Sequence, residues 1–142
     1  MNDPFDLHRF VAAQESTYER ALAELRLGEK VGHWMWFVFP QLEGLGRSPQ
    51  SKRYAIRSAD EARAYLAHPL LGPRLLEATR AVLVVNASAR EILGTPDDLK
   101  LRSCATLFAS VLPNSVFDEV LAKFFRSEPD EFTVSRLGHS NP

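Results

Sequence analysis

Hydrophobic positions in the first part of the chain recur at the spacing of an amphipathic helix. Between Leu7 and Leu25, apolar residues return every three or four positions, and charged side chains occupy many of the positions between them. Asp3 and Pro4 are typical of a helix start, and Gly28 is typical of a helix end. The pattern therefore predicts one long helix that ends at Gly28.

The rest of the chain carries repeated start and stop signals for shorter helices. Ser58 with Glu61, and Ser88 with Glu91, match the capping-box pattern, in which two side chains satisfy free N–H groups at a helix start. Strand signals are poor, because the β-branched run at residues 82–85 continues a helical pattern. Apolar stripes and stop signals predict helices over 59–67, from about 70 or 73 to 85, and over 89–93. Further helices are predicted from the Thr95-Pro96 start to the stop at Pro113, over 116–125 after the cap Ser115, and over 129–137.

These elements predict an all-α fold. We expect a single-domain helical bundle of about six to seven helices over residues 1–138, followed by a tail at 139–142. A chain of 142 residues, 45% hydrophobic and 25% charged, suits one domain with one substantial core. The net charge of −1 gives the chain no strong field for nucleic acid or for an anionic membrane, so neither partner is predicted.

The few special residues outside the apolar stripes narrow the expected class further. A single cysteine, Cys104, excludes an internal disulfide and a cysteine-based zinc cluster, and the four histidines have no metal-ligand spacing. No metal or cofactor is therefore predicted. The N-terminal residues 1–4 have no apolar export core, and no apolar run is long enough to span a membrane. The expected compartment is the cytoplasm, and the oligomeric state stays open.

One stretch, residues 33–48, differs from the rest of the chain. It contains both tryptophans in the run HWMWFVFPQL, which is followed by the glycine-containing run EGLGRS. Large aromatic residues dominate protein cores, so the stretch can be core followed by a turn. An aromatic wall that ends in a glycine loop with a basic residue is also a common way to build a small-molecule cleft. Both interpretations stay open at this point.

The candidate chemistry gathers in and around this stretch. His33 is a candidate general acid or base, because histidine titrates near neutral pH, although it could equally hold the segment through a carbonyl. Glycine loops and basic side chains together bind phosphate, and a tryptophan can stack on a base. Asp98 and Lys100 lie in the first turns of a predicted helix, where Asp98 can match the helix dipole, or the carboxylate and the amine can both face a pocket. The candidate ligand-binding residues are Gln14, Trp34, Trp36, Gln41, Gly44, Gly46, Arg47, Ser48, Lys52 and Arg57.

Several motifs together resemble a known family. They are residues 6–14, the aromatic run at 33–42, Gly44-Leu45-Gly46-x-Ser48, Tyr54-Ala55-Ile56, Ala67-His68-Pro69-x-Leu71-Gly72, Asp98-x-Lys100-Leu101 and Thr106-Leu107-Phe108. This pattern resembles the DUF1810 family over nearly the whole chain, and the resemblance implies an all-helical fold without an established activity. Some members carry the label calpastatin, which a chain with this core does not support. A fainter similarity to the NADAR superfamily, small helical proteins associated with ADP-ribose and NAD-related chemistry, serves as an analogy.

Two departures from the family pattern lie away from the aromatic run. Cys104 stands where the pattern usually has a second serine after Ser103, and Arg126-Ser127 replaces a usual glycine. The candidate site is therefore unaffected.

Two functional hypotheses follow. The first is a small-molecule protein that binds, with or without processing it, a phosphate-containing, nucleotide-type ligand such as an ADP-ribose or NAD-related compound. The second is a protein–protein interaction module with an aromatic groove and no catalysis.

Overall fold

The computed structural model describes residues 2–140, and all its regular elements are helices. The predicted all-α fold is confirmed, with ten helices in this range rather than six or seven. The additional helices arise because the N-terminal segment forms two helices and because the short segments 35–38 and 49–53 are also helical. Outside the helices, Leu42 and Ile56 form an isolated parallel β-bridge. The helices are α1 (His8–Gln14), α2 (Tyr18–Leu27), α3 (Met35–Val38), α4 (Pro49–Arg53), α5 (Ala59–Ala67), α6 (Leu71–Leu83), α7 (Ala89–Leu93), α8 (Asp97–Val111), α9 (Val116–Phe125) and α10 (Glu131–Ser140).

The single long N-terminal helix predicted from the apolar stripe is wrong. The segment divides into α1 and α2, with a turn at residues 15–17 between them. The break allows α1 to pack against α3 while α2 packs against α6. Asp3 does act as a cap, but its carboxylate accepts hydrogen bonds from the backbone N–H groups of Leu7 (2.9 Å) and His8 (3.0 Å), later in the chain than predicted. Gly28 ends α2 in the left-handed conformation, as predicted.

The helices predicted from serine caps are confirmed. The hydroxyls of Ser58, Ser88 and Ser115 each accept a hydrogen bond from a backbone N–H group in the first turn of the helix that follows. Ser88 and Glu91 form the complete reciprocal capping box. Glu61 does not complete its box, because its side chain turns inward and pairs with Arg9.

The core is organised around a chain of aromatic rings that joins four helices. Phe10 of α1 packs edge-on against Tyr65 of α5 at 5.1 Å between ring centroids, and Tyr65 packs against Phe108 of α8 at 5.6 Å. Phe108 continues to Phe117 of α9 at 5.5 Å. Burying each such side chain contributes about 1.5–3 kcal/mol, so this chain is a main source of cohesion. Cys104 of α8 lies buried beside it, and burial raises the pKa of its thiol well above the ordinary value.

The C-terminal helix is longer than the predicted segment. α10 begins at Glu131 and runs through Ser140, so the predicted helix end at Leu137 is too early. The last two residues of the predicted tail lie outside the described residues. Between residues 2 and 140, no helix is long and apolar enough to cross a membrane.

Candidate functional site

The aromatic run divides between the core and a cavity. Trp34 and Phe39 are fully buried, and Met35, Phe37 and Val38 also lie in the core. Trp36 differs, because part of its indole ring reaches the surface. The cause is local: α3 has a single turn, so its residues point in different directions, and Trp36 is the one on the outer side.

Trp36 forms part of the wall of a cavity of about 430 Å³. The cavity lies between the glycine loop, residues 44–48, and the first turns of α8. A second space of about 260 Å³ opens on the other side of the same loop. The first cavity is lined by Trp36, Gln41, Leu45, Gly46, Arg47, Ser48, Ser51, Pro96, Leu99, Lys100, Ser103 and Asp130. The second is lined by Glu43, Gly44, Gly46, Ser51, Lys52, Ala55 and Arg136.

Two glycines in the loop are required by its geometry. Gly44 has a φ of +99°, and a Cβ atom there would lie 3.1 Å from the ring of Phe132. A Cβ atom on Gly46 would lie 2.6 Å from the Ser51 side chain, closer than such atoms approach in real structures. The loop therefore lies directly against α4, whose first turn is capped by the hydroxyl of Ser48.

The β-bridge fixes the entrance of the loop to the rest of the fold. Ile56 N–H donates to the carbonyl of Gln41, and Glu43 N–H donates to the carbonyl of Ile56, both at 2.8 Å. These bonds hold the backbone of Gln41 at the cavity wall. Its side-chain amide makes no hydrogen bond to another residue within the described part of the chain, so both its donor and its acceptor are available.

The charged groups of the cavity are two cations and one carboxylate. The Lys100 ammonium lies 4.1 Å from the centroid of the Trp36 ring, and it is 3.1 Å from a carboxylate oxygen of Asp97. Arg47 is exposed at the rim. Asp130 accepts two hydrogen bonds from Thr133 through one of its carboxylate oxygens, at 2.9 Å and 2.6 Å.

The pKa of Asp97 reflects its two lysine partners. Burial alone would raise the pKa of this carboxyl, but hydrogen bonds and charge from Lys30 and Lys100 outweigh burial and hold the pKa below its ordinary value. Asp97 is therefore an anion at neutral pH.

The structure brings half of the predicted ligand-binding residues together. Trp36, Gln41, Gly46, Arg47 and Ser48 line the larger cavity. Gly44 and Lys52 line the space on the other side of the loop. The remaining three of the ten, together with His33, lie elsewhere.

Gln14 and Trp34 are internal supports rather than parts of a cavity wall. Gln14 is 1% exposed, and its amide donates to the carbonyl of Phe37 at 2.6 Å. Trp34 is fully buried, and its indole N–H donates to Glu24 at 2.8 Å. Neither side chain can reach a ligand without leaving the core, so the expected direct contacts are replaced by packing and hydrogen bonding within the protein.

His33 and Arg57 are both exposed, and neither is a wall residue of either cavity. The side chain of His33 makes no hydrogen bond to another residue in the range 2–140. The convergence of His33 with Gln41 and the glycine loop, expected from their closeness in sequence, is therefore absent among the described residues.

Most of the cavity wall on the α8 side was not predicted from the sequence. Whether Asp98 and Lys100 face a pocket was left open, and Lys100 is part of the cavity wall whereas Asp98 is not. No signal pointed to Asp97 as the partner of Lys100 rather than Asp98. The wall residues without a sequence signal are Leu45, Ser51, Pro96, Leu99, Ser103 and Asp130.

Comparisons with known proteins agree with the fold and carry no activity. A comparison with curated proteins gives no match. The chain is similar to the crystal structure of the conserved hypothetical protein Rv1873 from Mycobacterium tuberculosis, with 55% identity and a TM-score of 0.94, covering 96% of this chain and 99% of that chain. The family model described as a protein of unknown function, DUF1810, matches residues 4–137. Because this match spans nearly all of the chain and agrees with the sequence motifs, the protein belongs to the DUF1810 family.

Proposed function

We propose that the protein binds a small phosphate-containing ligand of nucleotide type in the cavity between the glycine loop and α8. The observation that carries the proposal is the convergence of Lys100 and Arg47 with the amide of Gln41, beside the partly exposed ring of Trp36. A concave site with several polar donors and an apolar wall is typical of small-molecule binding.

The size of the cavity fits this class of ligand. Its volume of about 430 Å³ lies within the range of roughly 300–1,000 Å³ that is common for small-molecule sites. The apolar part of the wall, formed by Trp36, Leu45 and Leu99, suits an aromatic or sugar ring. A nucleic-acid polymer is disfavoured, because the cavity wall carries only two cations, Arg47 and Lys100, and the chain has a net charge of −1.

The cations suit phosphate oxygens. Arginine offers planar paired donors that match phosphate or carboxylate oxygens, and lysine supplies a compact charge. Lys100 already lies against the Trp36 ring, so we place the anionic group of the ligand at this end of the cavity. The rest of the ligand then extends along the exposed part of the indole ring toward the loop.

The finer proposal is an ADP-ribose or NAD-related ligand, and processing of that ligand is a further step. A catalytic role for His33 stays a prediction, and the placement of His33 away from the cavity wall gives it no support. The interaction module stays the alternative hypothesis. Because Trp34, Phe37 and Phe39 are buried, the aromatic run would offer a protein partner mainly Trp36.

Calorimetric titration and thermal shift with ADP-ribose, AMP and inorganic pyrophosphate test the proposal. Binding to the folded state raises the melting temperature by mass action. Replacing Lys100 by Met or Arg47 by Ala removes a cation at the cavity. Each change is expected to weaken binding by about tenfold, the size of one charge-assisted hydrogen bond.

Arg57→Ala is the matched control, because it removes an exposed arginine that is not part of the cavity wall. We expect this variant to bind like the natural protein. Equal losses in Arg57→Ala and Arg47→Ala would indicate a general charge effect and contradict the site. Absence of binding by the natural protein with all three compounds would contradict the ligand class.

A further inference from the structure

A single carboxylate, Asp97, pairs with two lysine ammonium groups, one of which, that of Lys100, belongs to a side chain that lines the cavity. Its two oxygens lie 2.8 Å from Lys30 Nζ and 3.1 Å from Lys100 Nζ. The side chains are largely shielded from solvent, with exposures of 8% for Lys30, 17% for Asp97 and 20% for Lys100. The three groups therefore form a partly buried cluster with one net positive charge.

The two lysines differ in their other contacts. Lys30 Nζ also donates to the carbonyl of Gly32 at 2.6 Å and faces the buried ring of Trp34 at 5.1 Å from its centroid. Its charge is thus committed to the fold. Lys100 Nζ has Asp97 as its one acceptor among the residues that the structure describes, and its side chain lines the cavity. Two of its three N–H donors therefore remain available.

We infer that Asp97 determines the anionic class of ligand that the cavity accepts, by holding the Lys100 ammonium against Trp36 where a phosphate or carboxylate enters. This inference rests on the proposed function. A free lysine side chain samples many rotamers, and ordering it on binding costs free energy. Asp97 and the Trp36 ring order Lys100 before the ligand arrives, so this cost falls on folding rather than on binding.

Lys30 offsets the negative charge that Asp97 places beside the proposed anion site. Asp97 alone would repel an anionic ligand and weaken the attraction of Lys100. Because Lys30 also pairs with Asp97, the cluster keeps its net positive charge while Lys100 keeps its position. Asp97 is a positioning residue in this arrangement, since its contacts are with the lysines.

The inference makes a prediction opposite in sign to simple electrostatics. If Asp97 acted through charge alone, Asp97→Asn would tighten the binding of anions, because a negative charge is removed. If Asp97 positions Lys100, the same change weakens binding. Asp98→Asn is a matched control, because Asp98 is adjacent on α8 but its carboxylate accepts from the Thr95 hydroxyl and the Leu99 N–H instead of a lysine.

The experiment is calorimetric titration of the natural protein, Asp97→Asn and Asp98→Asn with inorganic pyrophosphate, ADP-ribose and the uncharged nucleoside adenosine. We expect Asp97→Asn to raise the Kd for the two anions by about five- to tenfold, as for a lost charge-assisted contact, and to leave adenosine binding unchanged. Asp98→Asn is expected to bind the anions at least as tightly as the natural protein.

An NMR measurement separates positioning from general destabilisation. The ε-methylene protons of Lys100 lie near the face of Trp36, so the ring should shift them upfield in the natural protein and in Asp98→Asn. Loss of this shift in folded Asp97→Asn, together with weaker anion binding, supports the inference. Equal or tighter anion binding by folded Asp97→Asn overturns it while the proposed function stands.

Two other outcomes are also decisive. If the natural protein binds none of pyrophosphate, ADP-ribose and AMP, the proposed function fails, and the inference about anion class fails with it. If Asp97→Asn does not fold, Asp97→Glu takes its place, because it keeps the charge and displaces the carboxylate by one methylene group. Weaker anion binding by Asp97→Glu then supports positioning, and unchanged binding overturns it.

Discussion

The two tryptophans of the chain both lie beside a lysine, but one is buried in the core and the other lines the cavity. Each ring lies near a lysine ammonium, Lys30 for Trp34 and Lys100 for Trp36, and both lysines pair with Asp97. Trp34 is fully buried, whereas Trp36 reaches the cavity. The difference arises within one turn of backbone, since two residues along a short helix separate the core from the surface.

The comparison teaches that an aromatic and a cation side by side do not define a function. The Trp34 indole N–H is satisfied by Glu24, and this carboxylate also accepts from the backbone N–H groups of Val31 and Gly32. These hydrogen bonds hold residues 31–34, just before α3, against α2. Around Trp36 the donors of Lys100 and the amide of Gln41 remain accessible. A structural tryptophan is therefore distinguished from one in a binding site by whether the polar groups beside it are paired and buried or unpaired and exposed, and not by residue type.

The largest expected effect tests the structural half of the comparison. Trp34→Ala should lower the free energy of unfolding by about 3–5 kcal/mol, because it opens a cavity in the core. Trp36→Ala should cost about 1–2 kcal/mol, because part of its ring is already in water. Urea unfolding of both variants measures the difference. Equal losses would mean that the two tryptophans are equally structural and would break the comparison.

A smaller effect concerns Glu24, the support of Trp34. Glu24→Gln should lower stability by about 1–3 kcal/mol at pH 7, since the charged acceptor of three hydrogen bonds is replaced by a neutral amide. Burial alone would raise the pKa of Glu24, but hydrogen bonds from Gly32, Val31 and Trp34 and the charge of Lys30 outweigh burial and lower the pKa.

The sign of this shift determines how the effect depends on pH. Because the folded pKa lies below the unfolded value, the stabilisation is complete above the ordinary glutamate pKa of about 4.3 and is lost as the pH falls through the folded pKa. Urea unfolding from pH 7 to pH 3 should therefore show the gap between the natural protein and Glu24→Gln narrowing below about pH 4. Glu29→Gln, at an exposed position, should show no such gap, and a constant gap for Glu24→Gln would contradict the assignment.

The smallest expected effect lies one residue before Trp34. His33→Ala should change the free energy of unfolding by no more than about 0.5 kcal/mol, as for an exposed side chain without special contacts. It should also leave the Kd for ADP-ribose unchanged, because His33 is not part of the cavity wall. Thermal unfolding with and without ADP-ribose checks both points. A loss of binding in this variant would mean that His33 contacts the ligand and would contradict its placement outside the site.

Local signals in the sequence were sufficient for much of the fold. The hydroxyls of Ser58, Ser88 and Ser115 act within a few residues, so their helices were predictable from spacing alone. The break between α1 and α2 was not, because it depends on tertiary packing. Gln14 lies on the apolar stripe of a continuous pattern, yet its side chain crosses to α3 and bonds a carbonyl there.

The candidate site was predictable on one side. Gly44 and Gly46 lie beside the aromatic run in the sequence, and a glycine loop with a basic residue is itself a signal. Lys100 reaches Trp36 from 64 positions further along the chain, and only the packing of α8 brings the two together. The spacing of Asp97 and Asp98 did not reveal which of them pairs with lysine, since the two are adjacent in the first turn of α8 and only the folded chain brings Lys30 to Asp97.

The rate at which Cys104 reacts with a thiol reagent reports how often the core of the protein opens. Cys104 is the only thiol in the chain, it is buried on α8, and its raised pKa leaves almost no thiolate at neutral pH. A thiol reagent can therefore react with it mainly when α8 separates from its neighbours, so the labelling rate counts these openings. The first turns of α8 also form one wall of the cavity. A ligand that contacts both α8 and the glycine loop would make these openings rarer and would therefore lower the labelling rate of Cys104.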